Sequence, residues 1–248
     1  MRKVFLFCAV LFVTARLLAQ KPAIDTAILG RWPSVSGVKL SADGKYVTFS
    51  IRETQGVSQV VASTRPGWKK AFPGAADADI LSNNNEAILR TTDDSLYLLQ
   101  LGTNRQRYIG QVAFYYLLRV KDHHEWLAYQ EAGGEKRFFL RETATGKLQS
   151  ECRVQNYLFN EAGSILLLQV QKSGSSGEQL LYRWDLATGE KKIIWKGGRC
   201  SNWIFDEEGR QIAFMTDERF GNAIWYYREG MGQAEKYVCD TTIGIDIN

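Results

Sequence analysis

Turn residues interrupt the chain at roughly every tenth position, β-branched and aromatic residues fill the intervals, and no window shows sustained apolar spacing at i, i+3, i+4, i+7. These observations predict an all-β fold. The order of segments also recurs at intervals of about 40 to 45 residues, the period of four-stranded blades, which an antiparallel sandwich does not require. The expectation is therefore a β-propeller of about five four-stranded antiparallel blades forming an incomplete ring.

Residues 205–227 hold the best-formed copy of the repeat. An acidic and glycine turn at Asp206-Glu207-Glu208-Gly209 leads into Gln211-Ile212-Ala213-Phe214-Met215. A second polar turn ends at Gly221-Asn222, and the aromatic run 223–227 follows. With the turn before the second strand as a ruler, weaker copies appear at Asp43-Gly44, Asn83-Asn84-Asn85, Asp122-His123-His124 and Glu161-Ala162-Gly163. Residues 46–51, 86–90, 125–130, 164–170 and 211–215 are the strands after these turns. Their antiparallel partners are 58–63, 95–101, 137–142, 179–185 and 223–228, and a short further strand is expected around 68–72. Blades are placed at roughly 32–75, 76–112, 113–150, 151–198 and 199–240, with another beginning at 241–248. A ring cut short there exposes strand edges and favours association.

The first 20 residues follow a different grammar. Arg2 and Lys3 precede an apolar run, 4–13, and then Leu17-Leu18-Ala19-Gln20. That is the pattern of a secretory signal peptide, with cleavage expected after Ala19 or Gln20, and the run is too short to span a bilayer. The mature chain is expected to be exported, periplasmic or extracellular, with no membrane association after cleavage. Across all 248 residues, 45% are hydrophobic and 12% aromatic, enough for a sizeable core. The net charge is +4, and the two signs alternate instead of forming blocks, so no nucleic-acid partner is expected.

Cys8 lies in the apolar leader. Cys152, Cys200 and Cys239 remain, an odd number that one chain cannot fully pair. They are expected between the last strand of one repeat and the first of the next, and their ordinary reading is as small buried residues. There is no C-x-x-C, and the histidines are His123 and His124 alone, so spacing defines no metal site.

Ser41-Ala42-Asp43-Gly44-Lys45-Tyr46-Val47-Thr48-Phe49-Ser50 and residues 206–227 resemble the S-P-D-G-K-x-I-A-F … D-R-x-G-N-x-x-I-Y repeat of TolB-type propellers. The same repeat occurs in the N-terminal propeller of prolyl oligopeptidase-family (S9) serine peptidases. A leader followed by Lys21-Pro22-Ala23-Ile24-Asp25 and Trp32-Pro33-Ser34-Val35-Ser36 also looks like the start of secreted members of that family. The resemblance implies a propeller of seven or eight blades that caps an α/β-hydrolase domain and admits short peptides. It also implies a G-x-S-x-G nucleophile with Asp and His following in chain order. This sequence contains no G-x-S-x-G; Gly174-Ser175-Ser176-Gly177 has the wrong spacing and reads as a hairpin connection. The chain is therefore expected to be the non-catalytic part, its partners being the hydrolase domain and, in the whole protein, peptides. The alternative is a stand-alone TolB-like module that binds envelope proteins.

No residue is assigned as catalytic, cofactor-binding or metal-ligating, and no cofactor is expected. Asp122-His123-His124-Glu125 offers imidazoles between carboxylates, but adjacent residues of an extended strand point to opposite faces, so a polar turn is the simpler reading. Asp217-Glu218-Arg219 could hold a peptide amino terminus or be an ordinary solvated turn. Tryptophans at 32, 68, 126, 184, 195, 203 and 225 recur across the repeats. They could form a sugar-stacking surface or pack blade against blade.

Overall fold

The computed structural model describes residues 32–120, 125–174, 177–218, 221–239 and 242. The expected signal peptide, the turn at 122–124, Ser175, Ser176, Arg219 and almost all of 241–248 lie outside the described residues. Every regular element among the described residues is a β-strand. Blade one comprises β1 (Ser34–Leu40), β2 (Tyr46–Glu53), β3 (Gly56–Ser63) and β4 (Lys69–Pro73). Blade two is β5 (Ala75–Ile80), β6 (Glu86–Thr91), β7 (Ser95–Gln100) and the first half of β8 (Gln106–Arg119). Blade three continues from the second half of β8 through β9 (Glu125–Glu131), β10 (Phe138–Glu142) and β11 (Leu148–Glu151). Blade four is β12 (Val154–Phe159), β13 (Ile165–Gln171), β14 (Gln179–Asp185) and β15 (Lys191–Gly197). Blade five is β16 (Cys200–Phe205), β17 (Gln211–Glu218), β18 (Gly221–Arg228) and β19 (Glu235–Cys239).

All pairings are antiparallel between sequential strands, and hydrogen bonding groups them into sheets of four, seven, four and four strands. The seven-stranded sheet joins blades two and three. β8 pairs with β7 through residues 106–111 and with β9 through 112–119, because this crossing holds no residue that turns the chain, Gly110 (φ +159°) staying within the strand. The other crossings carry such residues: Gly74 (φ +74°), Arg153 (φ +57°) and the pair Gly197-Gly198.

The hairpin entry that served as the ruler is built alike in four blades. The amides of Gly44, Asn84, Gly163 and Gly209 donate to the carbonyls of Ser41, Leu81, Asn160 and Asp206 at 2.9–3.0 Å. All four donors have left-handed φ between 55° and 72°. Blade two achieves this without glycine because asparagine tolerates that region. The residue at the head of the turn also caps the next strand: Ser41 Oγ, Asn160 Oδ1 and Asp206 Oδ1 accept the amides of Tyr46, Ile165 and Gln211 at 2.8–2.9 Å. Leu81 cannot do so, and Asn83 Oδ1 takes over, accepting from Asn85 and Glu86. The varied turn sequences thus satisfy the same backbone donors.

The core consists of apolar layers between consecutive blades. Blades one and two enclose Val61, Ala78, Ile80, Leu89 and Leu99; two and three enclose Ile88, Leu96, Leu98, Val112 and Leu127. Blades three and four enclose Phe138, Leu140, Leu166 and Leu168; four and five enclose Leu167, Leu181, Ile194, Ile212 and Phe214. Trp68 joins the first of these layers, Trp126 and Trp184 the third, and Trp195, Trp203 and Trp225 the fourth. Packing is therefore the use of these six indoles, while Trp32 is 58% exposed.

The ring does not close: among the described residues no pairing joins β1 to β19 and nothing packs on the outward faces of the first and fifth blades. Val35, Val38 and Leu40 on β1 are exposed, as are Ile204 at 66% and Tyr237 at 77% in blade five.

Gly44 and Gly209 separate two costs of a side chain. A Cβ at Gly44 meets nothing within 4 Å, whereas one at Gly209 lies 2.7 Å from Asn160 Nδ2 and 3.0 Å from Ile165 Cγ1. Gly44→Ala is expected to cost about 1–2 kcal/mol, the left-handed penalty alone, and Gly209→Ala clearly more, in urea titrations. Equal costs would show that the close contact yields freely. The open apolar faces predict that the purified chain scatters light above its 28.1 kDa monomer mass, and that Ile204→Lys with Tyr237→Lys lowers that mass.

Candidate functional site

The innermost strands of the first three blades carry a connected polar group. On β5, Asp77 and Asp79 are two residues apart and so project to the same side. Lys39 of β1 reaches both: its Nζ lies 2.7 Å from Asp79 Oδ1 and 3.4 Å from Asp77 Oδ1. From the other side, the Tyr115 hydroxyl of β8 donates to Asp77 Oδ2 at 2.8 Å. Four residues along β8, Arg119 Nη2 donates to the Ile80 carbonyl at 3.2 Å, and its Nε donates to Glu125 Oε2 at 3.0 Å. Glu125 Oε1 accepts the Ser82 amide at 2.9 Å. The group runs from blade one to blade three without a break. Arg90, Tyr116 and Leu117 complete the walls of a cleft of about 380 Å³ over it.

Three of the group's ionisable members, Asp77, Tyr115 and Lys39, are each held in one form. Burial raises the Asp77 pKa, but the Tyr115 hydrogen bond and the Lys39 charge outweigh it and the carboxyl lies below the usual aspartate value. Burial and the neighbouring carboxylate both push the Tyr115 phenol well above its usual value. Burial disfavours the Lys39 ammonium, yet Asp79 and Asp77 together carry it above the ordinary lysine value. None of the three changes charge near neutrality. The arrangement suits inter-blade anchoring, and none of these three groups is a poised general base.

Of the residues singled out from sequence, Asp122, His123 and His124 lie outside the described residues. Glu125 is fully buried as the clamp between the blade-two turn and Arg119. Asp217 is exposed on β17 opposite Asn222, and Glu218 stands opposite Gly221; this hairpin end is on blade five, away from Glu125 on blade three.

Among the described residues Cys152, Cys200 and Cys239 form no disulfide. Their expected placement between repeats needs correction: Cys200 is the first residue of β16 and Cys239 the last of β19, and only Cys152 lies between strands. Cys200 fits the buried reading, with Gln169 Nε2 3.3 Å from its Sγ, and burial pushes its thiol up to about 11; Cys152 and Cys239 are half-buried. Among the described residues no cluster of three potential metal ligands occurs, and no helix is long and apolar enough to cross a membrane.

Sequence reading missed the inner-strand group. The signal available was Asp77-Ala78-Asp79, two carboxylates alternating with a buried alanine on a strand.

No family model matches the chain, and no curated protein matches it. Its structural neighbours are β-propeller proteins. A eukaryotic initiation factor structure aligns with TM-score 0.50 at 15% identity, over 82% of this chain and 55% of that one. The β-propeller domain of the trilobed protease from Pyrococcus furiosus aligns with TM-score 0.44 at 11% identity, over 81% and 71%. TolB from Acinetobacter baumannii aligns with TM-score 0.37 at 12% identity, over 82% and 56%. The chain thus spans little more than half of the initiation factor and TolB chains. At these identities the likeness concerns the fold alone.

A group whose folded pKa is depressed adds stability above its unfolded value and loses it as pH falls through the folded value. For Asp77 that window opens downward from about pH 3.9. Asp77→Asn is expected to cost up to about 1 kcal/mol at pH 7, since the carboxylate is half exposed, and to flatten the acid side of a melting-temperature profile below pH 4. An unchanged profile would mean that Asp77 contributes nothing to the anchoring.

Proposed function

We propose that this chain is the non-catalytic propeller region of an exported S9-family serine peptidase, gating the access of peptides to a hydrolase domain. The observation that carries the reading is the repeat at residues 206–227, which resembles the TolB and S9 blade motif and here forms the β17–β18 hairpin. The second copy, 41–50, supports it by adopting the same capped turn in blade one. In this role the inner-strand group of Lys39, Asp77, Asp79, Tyr115 and Arg119 holds the blades in register around the passage. Peptide-bond cleavage belongs to the hydrolase domain, because this sequence has no G-x-S-x-G elbow.

Reading the genomic coding sequence past the codon for Asn248 tests the proposal. An open frame with a downstream G-x-S-x-G, followed by Asp and His, is the expected result. The encoded protein should then label with a serine-directed phosphonate, while the 248-residue chain should not. A stop codon directly after Asn248 would overturn the peptidase reading in favour of the binding module.

A further inference from the structure

Blades radiate from a centre, so the gap between neighbours widens outward and something must fill it. Tryptophan does so at three of the four junctions: Trp68 between blades one and two, Trp184 between three and four, Trp195 between four and five. The layer between blades two and three contains none. The contrast is sharpest at one position. Trp195 stands opposite Leu181 in blade four and packs on Phe214 and Trp225 at 5.7 and 6.1 Å. The corresponding residue of blade two, opposite Leu96, is Gly110.

Farther along the same two blades lies an open cleft. Two adjoining hollows of about 510 and 370 Å³ share Arg107, Arg141 and Gly146 in their walls. Arg141 is largely buried and bonded through Nη2 to Glu86 at 3.1 Å. Arg105 and Arg107 are exposed, and neither has an ion-pair partner among the described residues. Arg105 directly precedes β8, and its carbonyl accepts the Gln100 amide at 2.9 Å, which continues the ladder, so alternation sets the two arginines on the same side, and both line the cleft. The first half of β8, which carries Arg107, pairs only with β7, so its other edge is a free row of backbone donors and acceptors.

We infer that this edge and cleft form a docking site for an extended acidic peptide segment. The segment adds beside residues 106–110 as an outer strand of blade two. Successive same-side residues of an extended chain repeat at about 6.6–6.8 Å, the spacing that strand geometry gives Arg105 and Arg107. Carboxylates at i and i+2 of the segment therefore stand opposite both guanidiniums at cross-strand distance. Backbone pairing supplies affinity and the arginine pair selects for acid. An acidic sugar polymer could meet the guanidiniums, but it cannot use the free strand edge.

Fluorescence anisotropy with the full chain and a fluorescein-labelled heptapeptide of alternating Glu and Thr tests this. Saturable binding is expected that weakens with added salt and falls about tenfold or more in the Arg105→Ala/Arg107→Ala variant. The remote Arg199→Ala variant should bind unchanged. A Gln-for-Glu peptide, and a peptide N-methylated at alternate amides, should bind poorly. No binding, binding indifferent to the double variant, full binding of the N-methylated peptide, or equal binding of an oligouronate would each overturn the inference. Unchanged melting of the double variant excludes a folding defect.

Discussion

Everything in this molecule depends on apolar contact between the faces of consecutive four-stranded blades. A blade in the middle of the row has two such faces, so its second strand cannot alternate between core and solvent. β13 shows the result: Leu166, Leu168 and Val170 point into one layer, Leu167 into the next, and all are buried. Each such side chain contributes about 1.5–3 kcal/mol on burial, and no single blade can bury both of its own faces. Among the described residues the first and fifth blades have one neighbour each and keep apolar residues exposed on the other face.

Radial packing imposes opposite demands at the two ends of a blade. Near the centre the first strands converge, and charged groups placed there must find partners across blades, as Lys39, Asp77, Asp79, Tyr115 and Arg119 do. Away from the centre the faces diverge. Indoles fill three of the gaps, whereas the gap between blades two and three holds none and opens into a cleft walled by Arg107, Arg141, Tyr129 and Phe139. The propeller is thus alike in backbone around the row and unlike in chemistry.

The hairpins were legible because their signals are local. Residues 46–51 and 58–63 are recognisable from β-branched runs around a turn, and they form β2 and β3. The varied turns were legible only as positions. That Asn84 replaces glycine, or that Asn83 replaces the missing cap at Leu81, follows from backbone dihedrals that composition does not display. The continuity of β8 was not legible either, since a crossing without turn residues looks like any other strand. The inner polar group escaped notice for a different reason: its members are 38 to 40 residues apart, and only the blade period brings them within hydrogen-bond reach. Glu125 was noticed for its histidine neighbours, yet its role as a clamp depends on Ser82 and Arg119 from elsewhere in the chain.

By itself the sequence determined the all-β class, the blade period and the strand pairs on either side of each hairpin, because all three are written in neighbouring residues. Tertiary structure alone decided which faces meet, which charges pair across blades, and where a gap stays open. Those outcomes depend on the placing of one blade against the next, which no local pattern encodes.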